Sequence, residues 1–186
     1  MTPEILLTAT CAPMLGTLSN WIAKAEKEGA PATVLGARLA PDMFPLATQI
    51  RFAYVQAREA THRLRGEPFP PELIALLDEA RGAGDRPGDF AEAQTRIAET
   101  LAVLDAFAAT PSQGDPQRAI EHALPIGMTF DLTAEQYLRD WVLSQFYFHV
   151  MTAYAILRKE GVALGKADYV AHLMPFLRPT AAAQPP

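Results

Sequence analysis

Apolar residues recur every three or four positions along four long segments of the chain, which places them on one face of an α-helix. These segments cover residues 3–28, 42–65, 89–109 and, after Leu132, 133–159. Clusters of glycine and proline separate them. At the start of the fourth segment, Thr133 and Gln136 have the spacing of a capping box. The pattern predicts an all-α fold, a bundle of four long helices.

Shorter elements are predicted between and after these helices. A weaker helix is expected over residues 72–81, and another near residues 168–176. Helical spacing fails between residues 110 and 132, where residues 120–130 predict two short strands turning at Ile126 and Gly127. We therefore expect a four-helix bundle with a short β-hairpin before its fourth long helix.

Length, composition and charge narrow the protein class. A chain of 186 residues fits one domain. We assign residues 1–178 to it and expect residues 179–186 to form a flexible tail. The hydrophobic fraction of 49% is ordinary for a globular protein. The net charge of -5 leaves no basic excess to neutralise phosphates, so we expect no nucleic-acid partner.

Several features favour a cytoplasmic protein. The single cysteine, Cys11, cannot form an intrachain disulfide. Glu4 stands where a secretory signal peptide needs positive charge. Residues 141–157 form an uncharged stretch that is short for a membrane span, and polar side chains interrupt it. We interpret that stretch as a buried helix and expect no membrane partner.

The fourth helix carries candidate chemistry. Gln145 and His149 lie four residues apart on a face otherwise used for packing. Side chains one helical turn apart can reach a single metal ion. Imidazole is a good ligand, whereas a glutamine amide is a poor one for zinc or nickel. The structural alternative is a core histidine bonded to a backbone or hydroxyl group.

The segment before the second helix adds charged groups. Asp42 precedes a proline that a first helical turn tolerates, so it is expected to cap that helix. The alternative, compatible with capping, is a carboxylate directed into the bundle as ligand or general base. Arg38 pairs with an acid, caps a neighbouring element or binds an anionic group. The candidate ligand-binding residues are Arg38, Asp42, Gln145, His149 and Tyr154, and the candidate catalytic residues are His149 and Asp42.

Two motifs resemble the signature of the DUF1993 family of uncharacterised bacterial proteins. They are residues 35–46 (LGARLAPDMFPL) and 146–158 (FYFHVMTAYAILR), with GV at residues 161–162 and LGKAD at 164–168 behind them. The resemblance extends from the first helix to about Asp168. That family is similar in fold to the DinB/YfiT-like four-helix bundles, which include thiol-dependent S-transferases and maleylpyruvate isomerase. The resemblance implies a DinB-like bundle.

The resemblance also implies a metal site that this chain carries only in part. The wider group typically binds a divalent metal through three histidines, one on the second helix and an H-x-x-x-H pair on the fourth. The later histidine of that pair corresponds to His149, and the earlier one falls on Gln145. No histidine lies near the start of the second helix, where Asp42 is the nearest replacement. The implied metal ligands are thus His149, Asp42 and Gln145, with zinc or nickel as the ion, but the expectation is that no metal binds.

Two functions remain open at this stage. The first is a DinB-like small-molecule transferase or isomerase with an altered metal site, in which His149 is a ligand or general base. The second is a non-catalytic module without metal that binds a small molecule or forms a homodimer. A shared site requires that Asp42, Gln145 and His149 converge on one cavity.

Overall fold

Four long helices form the body of the structure, a computed structural model that describes residues 1–110 and 114–178. The predicted all-α class and the β-hairpin are both confirmed. The elements in chain order are α1 (Pro3–Lys27), α2 (Leu46–Arg65), α3 (Pro71–Arg81), α4 (Phe90–Ala109), β1 (Ala119–Ala123), β2 (Thr129–Thr133), α5 (Ala134–Gln136), α6 (Leu143–Lys159) and α7 (Lys166–Tyr169).

The long helices pack as a ring in which α1 and α2 each contact both α4 and α6. Their apolar faces meet at the centre, where Leu7, Trp21, Ile50, Ile97 and Ile156 are each 1% exposed or less. Removing these side chains from water is the main stabilising contribution to the bundle. The extensive contact between α2 and α6 matters most for function, because it forms the walls of the candidate site.

Helix α1 is the one helix of the described residues that is long and apolar enough to cross a membrane. Length and composition alone are weak evidence, since the core helix of a globular protein passes the same test. Leu7, Cys11 and Leu18 of α1 are fully buried against the other helices. Packing within the bundle therefore accounts for its apolar character.

Helix α2 begins at Leu46, four residues later than predicted. Pro45 is the N-cap residue, in extended conformation, and no side chain caps the helix. A proline disfavours helical conformation in the residue before it, so Phe44 cannot continue a helix begun at Asp42. The prediction that Asp42 caps α2 is wrong, and Asp42 lies instead in an exposed turn.

The hairpin and the helix after it follow the predicted sequence signals. Strands β1 and β2 pair antiparallel, and Gly127 makes the turn with φ of +81°, a conformation that favours glycine. Thr133 and Gln136 form the predicted capping box, with each side chain bonded to the other residue's backbone N–H. The chain then continues helically through a π-helical turn, Tyr137–Val142, into α6.

The C-terminal region differs in detail from its prediction. In place of one short helix over residues 168–176, α7 is followed by a 3-10 helix, Ala171–Phe176. The backbone N–H of Gly165 donates to the Asp168 carboxylate, at 2.7 Å, and so fixes the start of α7. The tail predicted at residues 179–186 lies outside the described residues.

Candidate functional site

A pocket of about 420 Å³ opens between α2, α6 and the loop that precedes α2. It brings together three of the residues predicted from the sequence, Asp42, Gln145 and His149. The convergence that a shared site requires is therefore present. The full lining consists of Asp42, Met43, Phe44, Gln49, Phe52, Gln56, Gln145, Phe148 and His149.

His149 is held at the inner wall by a side chain that the sequence analysis did not single out. Its Nδ1 lies 2.8 Å from Oε1 of Gln49, and Nε2 of Gln49 donates to the Phe44 carbonyl at 3.2 Å. Because the Gln49 amide uses its NH₂ group on that carbonyl, its oxygen faces the imidazole and accepts a hydrogen bond. Nδ1 of His149 therefore carries the proton, and Nε2 carries the lone pair.

The surroundings of His149 keep its ring neutral. The residue is 8% exposed, and burial lowers the pKa of the imidazole to about 4. The ring stacks on Phe52, with centroids 5.2 Å apart and planes 19° apart, and meets the edge of Phe148. Among the described residues, none forms a hydrogen bond with Nε2. Nε2 is thus an unused, uncharged acceptor within an aromatic wall.

Amide groups supply most of the other polar surface of the pocket. Gln49, Phe52 and Gln56 occupy successive turns of one face of α2, while Gln145 lies one turn before His149 on α6. Gln56 is 9% exposed, and its buried Oε1 has no hydrogen-bond partner among the described residues. Buried polar atoms are nearly always paired with protein or ordered water, so this oxygen is free to accept a hydrogen bond from a water or a bound molecule.

The charge of the lining is slightly negative. Among the described residues, Asp42, exposed at the edge of the pocket, is the one formally charged side chain of the lining, since His149 is neutral and no lysine or arginine contributes. A carboxylate at the mouth attracts cations and repels anions. The electrostatics therefore favour an uncharged or cationic ligand.

Two of the predicted ligand-binding residues lie outside this pocket. Arg38 donates from Nη1 to the Met43 carbonyl, at 2.5 Å, and so braces the loop that carries Asp42. The Tyr154 ring packs against Trp21 and Tyr169, with centroids 5.2 and 5.8 Å away. Neither side chain lines the pocket. Of the predicted residues, Asp42, Gln145 and His149 are the ones placed to contact a ligand there.

The donor set does not fit the divalent metal that the wider group implies. Within the described residues, no three His, Cys, Asp or Glu side chains lie close enough together to hold a metal ion. The pocket offers one imidazole nitrogen, one carboxylate on an exposed turn, and neutral amides, whereas zinc prefers imidazole, thiolate and carboxylate ligands. Gln49 faces His149 from the second long helix, and its oxygen is already engaged with Nδ1.

Comparisons with known proteins agree with this fold. The model of a domain of unknown function, DUF1993, matches residues 6–170. A crystal structure of a DinB family member protein from Shewanella denitrificans, at 1.83 Å resolution, is 26% identical, with a TM-score of 0.68. The match covers 98% of this chain and 95% of that one. No curated protein matches. The structural likeness confirms the predicted DinB-like bundle.

Proposed function

Because the chain belongs to the DUF1993 family, whose description states no activity, we propose its function from the pocket itself. The protein binds a small aromatic molecule, uncharged or cationic, between α2 and α6 without the help of a metal. The observation that carries this proposal is the neutral imidazole of His149, fixed through Nδ1 by Gln49 and left with an unused acceptor at Nε2.

The size and walls of the pocket support an aromatic ligand. A volume of about 420 Å³ lies within the range of small-molecule sites, roughly 300–1,000 Å³. The rings of Phe44, Phe52 and Phe148 line it and offer faces and edges for stacking. His149 Nε2 and Gln56 Oε1 both accept hydrogen bonds, so the ligand carries N–H or O–H donors.

Binding is better supported than the transferase or isomerase function expected for a DinB-like enzyme. A general base works best when its pKa lies near the working pH, and that of His149 is about 4. Asp42, the other titratable side chain that the described residues bring to the lining, lies in an exposed turn. We therefore assign His149 to ligand recognition, as a hydrogen-bond acceptor.

Three benzene derivatives that differ mainly in charge test this proposal. Benzamide is neutral, benzamidine is cationic and benzoate is anionic. In a ¹H–¹⁵N NMR titration, benzamide and benzamidine are expected to shift the signals of Gln56, Gln145 and His149, with dissociation constants of about 1 mM. Benzoate is expected to bind at least several-fold more weakly, because the Asp42 carboxylate repels its negative charge and no cationic side chain of the described lining offsets that repulsion.

Two variants of α2 provide the matched comparison. Gln56→Leu removes the unpaired acceptor and is expected to weaken benzamide binding about two- to tenfold. Tyr54→Phe removes an unpaired buried hydroxyl that does not line this pocket, and it is expected to leave binding unchanged. Shifts absent for all three compounds, or benzoate binding as tightly as benzamidine, would contradict the proposal.

Location and assembly complete the proposal. A cytoplasmic location without nucleic-acid or membrane partners is supported by the acidic net charge and the single buried cysteine. Homodimer formation is supported by exposed apolar side chains on α6, namely Tyr147, Phe148 and Met151. Size-exclusion chromatography with light scattering measures the assembly directly: a mass of twice 20.3 kDa supports a dimer and a mass of 20.3 kDa contradicts it.

A further inference from the structure

A second set of unpaired polar atoms lies near the pocket. Both ring nitrogens of His122, the Tyr137 hydroxyl and the Trp141 indole N–H are buried and have no hydrogen-bond partner in the part of the chain that the structure describes. Ring contacts hold the three together, since the His122 centroid is 5.3 Å from that of Tyr137 and 4.4 Å from that of Trp141. His122 is 6% exposed and Tyr137 is fully buried. We call these three residues the inner cluster.

The inner cluster holds complementary groups that do not bond to one another. Trp141 offers a donor, neutral His122 offers one donor and one acceptor, and the Tyr137 hydroxyl offers both. An unpaired buried polar group is unfavourable, and three neighbouring residues with this deficit are unusual in a folded protein. A molecule carrying both donors and acceptors would satisfy them together.

The helical turn that carries Tyr137 and Trp141 leads directly into the α6 residues that line the pocket. Trp141 stands one helical turn before Gln145, about 6 Å along the axis, and Tyr137 about 12 Å along it. Both belong to the π-helical turn that leads into α6, a feature frequently found at functional sites. On the α2 side, Gln56 lines the pocket and its own oxygen is unpaired.

The charged groups that act on the inner cluster come from α2. Glu59 and Arg63 affect the pKa of Tyr137 in opposite directions, while burial raises it. Burial lowers the pKa of His122, and Arg63 lowers it further. The three rings are therefore neutral near pH 7, which suits an uncharged polar group better than an ion.

We infer that the inner cluster and Gln56 form a polar subsite, continuous with the pocket, that binds the uncharged hydrogen-bonding head of the ligand. This inference rests on the proposed binding function and narrows its ligand class. The ligand has an aromatic body between Phe52 and Phe148 and, roughly 6 Å away in the direction of Trp141, a head with both donors and acceptors, such as a carboxamide.

Two probes of nearly equal shape test for the head group. 4-Phenylbutyramide carries a carboxamide at about the right distance from its ring, and 5-phenylpentan-2-one replaces the NH₂ group with a methyl group. The amide is expected to bind two- to tenfold more tightly than the ketone. It is also expected to shift the Trp141 indole N–H signal. The Trp21 indole is the internal control, because it already donates to the Asp168 carbonyl.

Tyr137→Phe removes one hydroxyl from the inner cluster, and Tyr54→Phe is the matched control outside it. Tyr137→Phe is expected to lower the preference for the amide over the ketone at least twofold, whereas Tyr54→Phe keeps it. Neither substitution is expected to lower the unfolding temperature without ligand, because each removes an unpaired buried hydroxyl. Trp141→Phe, which removes the indole donor, is the second variant should Tyr137→Phe fail to fold.

The outcomes separate this inference from the proposed function. If both probes shift His149 and Gln145 but bind equally well, and the Trp141 signal does not move, the subsite is refuted and the pocket stands. If neither probe shifts any of these signals, the proposed function fails and the inference fails with it. A preference for the amide that survives both Tyr137→Phe and Trp141→Phe also overturns the subsite.

Discussion

A buried histidine and a partly buried glutamate titrate over almost the same pH range, and their effects on stability oppose each other. Burial lowers the pKa of His149 from 6.5 to about 4. Burial also raises the pKa of Glu59 from 4.5 to about 7. Each group therefore binds a different number of protons in the folded and unfolded states between about pH 4 and 7.

The sign of each contribution follows from the direction of its pKa shift. On acidification the unfolded state takes up the His149 proton before the folded state does. The contribution of His149 to stability is therefore present above pH 6.5 and is lost as the pH falls towards 4. As the pH rises, the folded state keeps the Glu59 proton to a higher pH than the unfolded state does. The contribution of Glu59 to stability is therefore present below pH 4.5 and is lost as the pH rises through 7. Shifts of this size correspond to at most about 3 kcal/mol each. In the wild-type protein the two contributions largely cancel.

Single substitutions uncover the hidden dependence on pH. As the pH falls from 7 to 4, the free energy of unfolding of the His149→Gln variant is expected to rise by up to about 3 kcal/mol relative to that of the wild type. As the pH rises from 4.5 to 7, the free energy of unfolding of the Glu59→Gln variant is expected to rise by a similar amount relative to that of the wild type. Urea unfolding at half-unit pH steps measures both, because the difference from wild type removes the contribution of every other group.

The double variant is the control, because it lacks both groups. Its difference from wild type is expected to vary little with pH, since two opposing contributions are removed together. A His149→Gln difference that stays constant from pH 7 to 4 would show that the imidazole keeps an ordinary pKa. That result would refute the buried, neutral ring on which the proposed function depends.

Three further predictions follow from the site. Asp42→Asn is expected to lower the preference for benzamidine over benzoate about two- to fivefold, measured by NMR titration, and an unchanged ratio would remove Asp42 from recognition. Arg38→Ala is expected to weaken benzamide binding, because it releases the loop at Met43; equal affinity would contradict that bracing role. Wild-type protein purified without chelator is expected to contain less than about 0.1 equivalent of zinc or nickel by elemental mass spectrometry. The double variant Gln49→His/Gln145→His is expected to bind about one equivalent. Stoichiometric metal in the wild type would contradict the conclusion that these side chains do not fit a metal ion.

Most of the fold could be predicted because regular spacing of apolar residues determines which face of each helix is buried. The same signal placed Gln145 and His149 on an inward face of α6, where the structure has them. The predicted start of α2 is too early because helical spacing of apolar residues continues back to Asp42. The conformational restriction that Pro45 imposes on the residue before it prevents the helix from beginning before Leu46.

The partner of His149 could not be predicted from spacing along one helix. Gln49 and Gln56 interrupt the apolar face of α2 seven residues apart, and that signal was present in the sequence. Which of them meets His149 depends on how α2 and α6 pack, a contact between residues 100 positions apart. The inner cluster depends in the same way on how the hairpin folds over the π-helical turn, since His122 belongs to β1.

The most direct test of the central claim observes the His149 ring nitrogens by long-range ¹H–¹⁵N NMR during a benzamide titration. The signals that His149→Gln removes identify the residue. At pH 7 we expect a proton on Nδ1, a lone pair on Nε2, and a change in the Nε2 signal alone as benzamide saturates the pocket. A proton on Nε2 in the free protein, or an Nε2 signal unchanged at saturating benzamide, would contradict it.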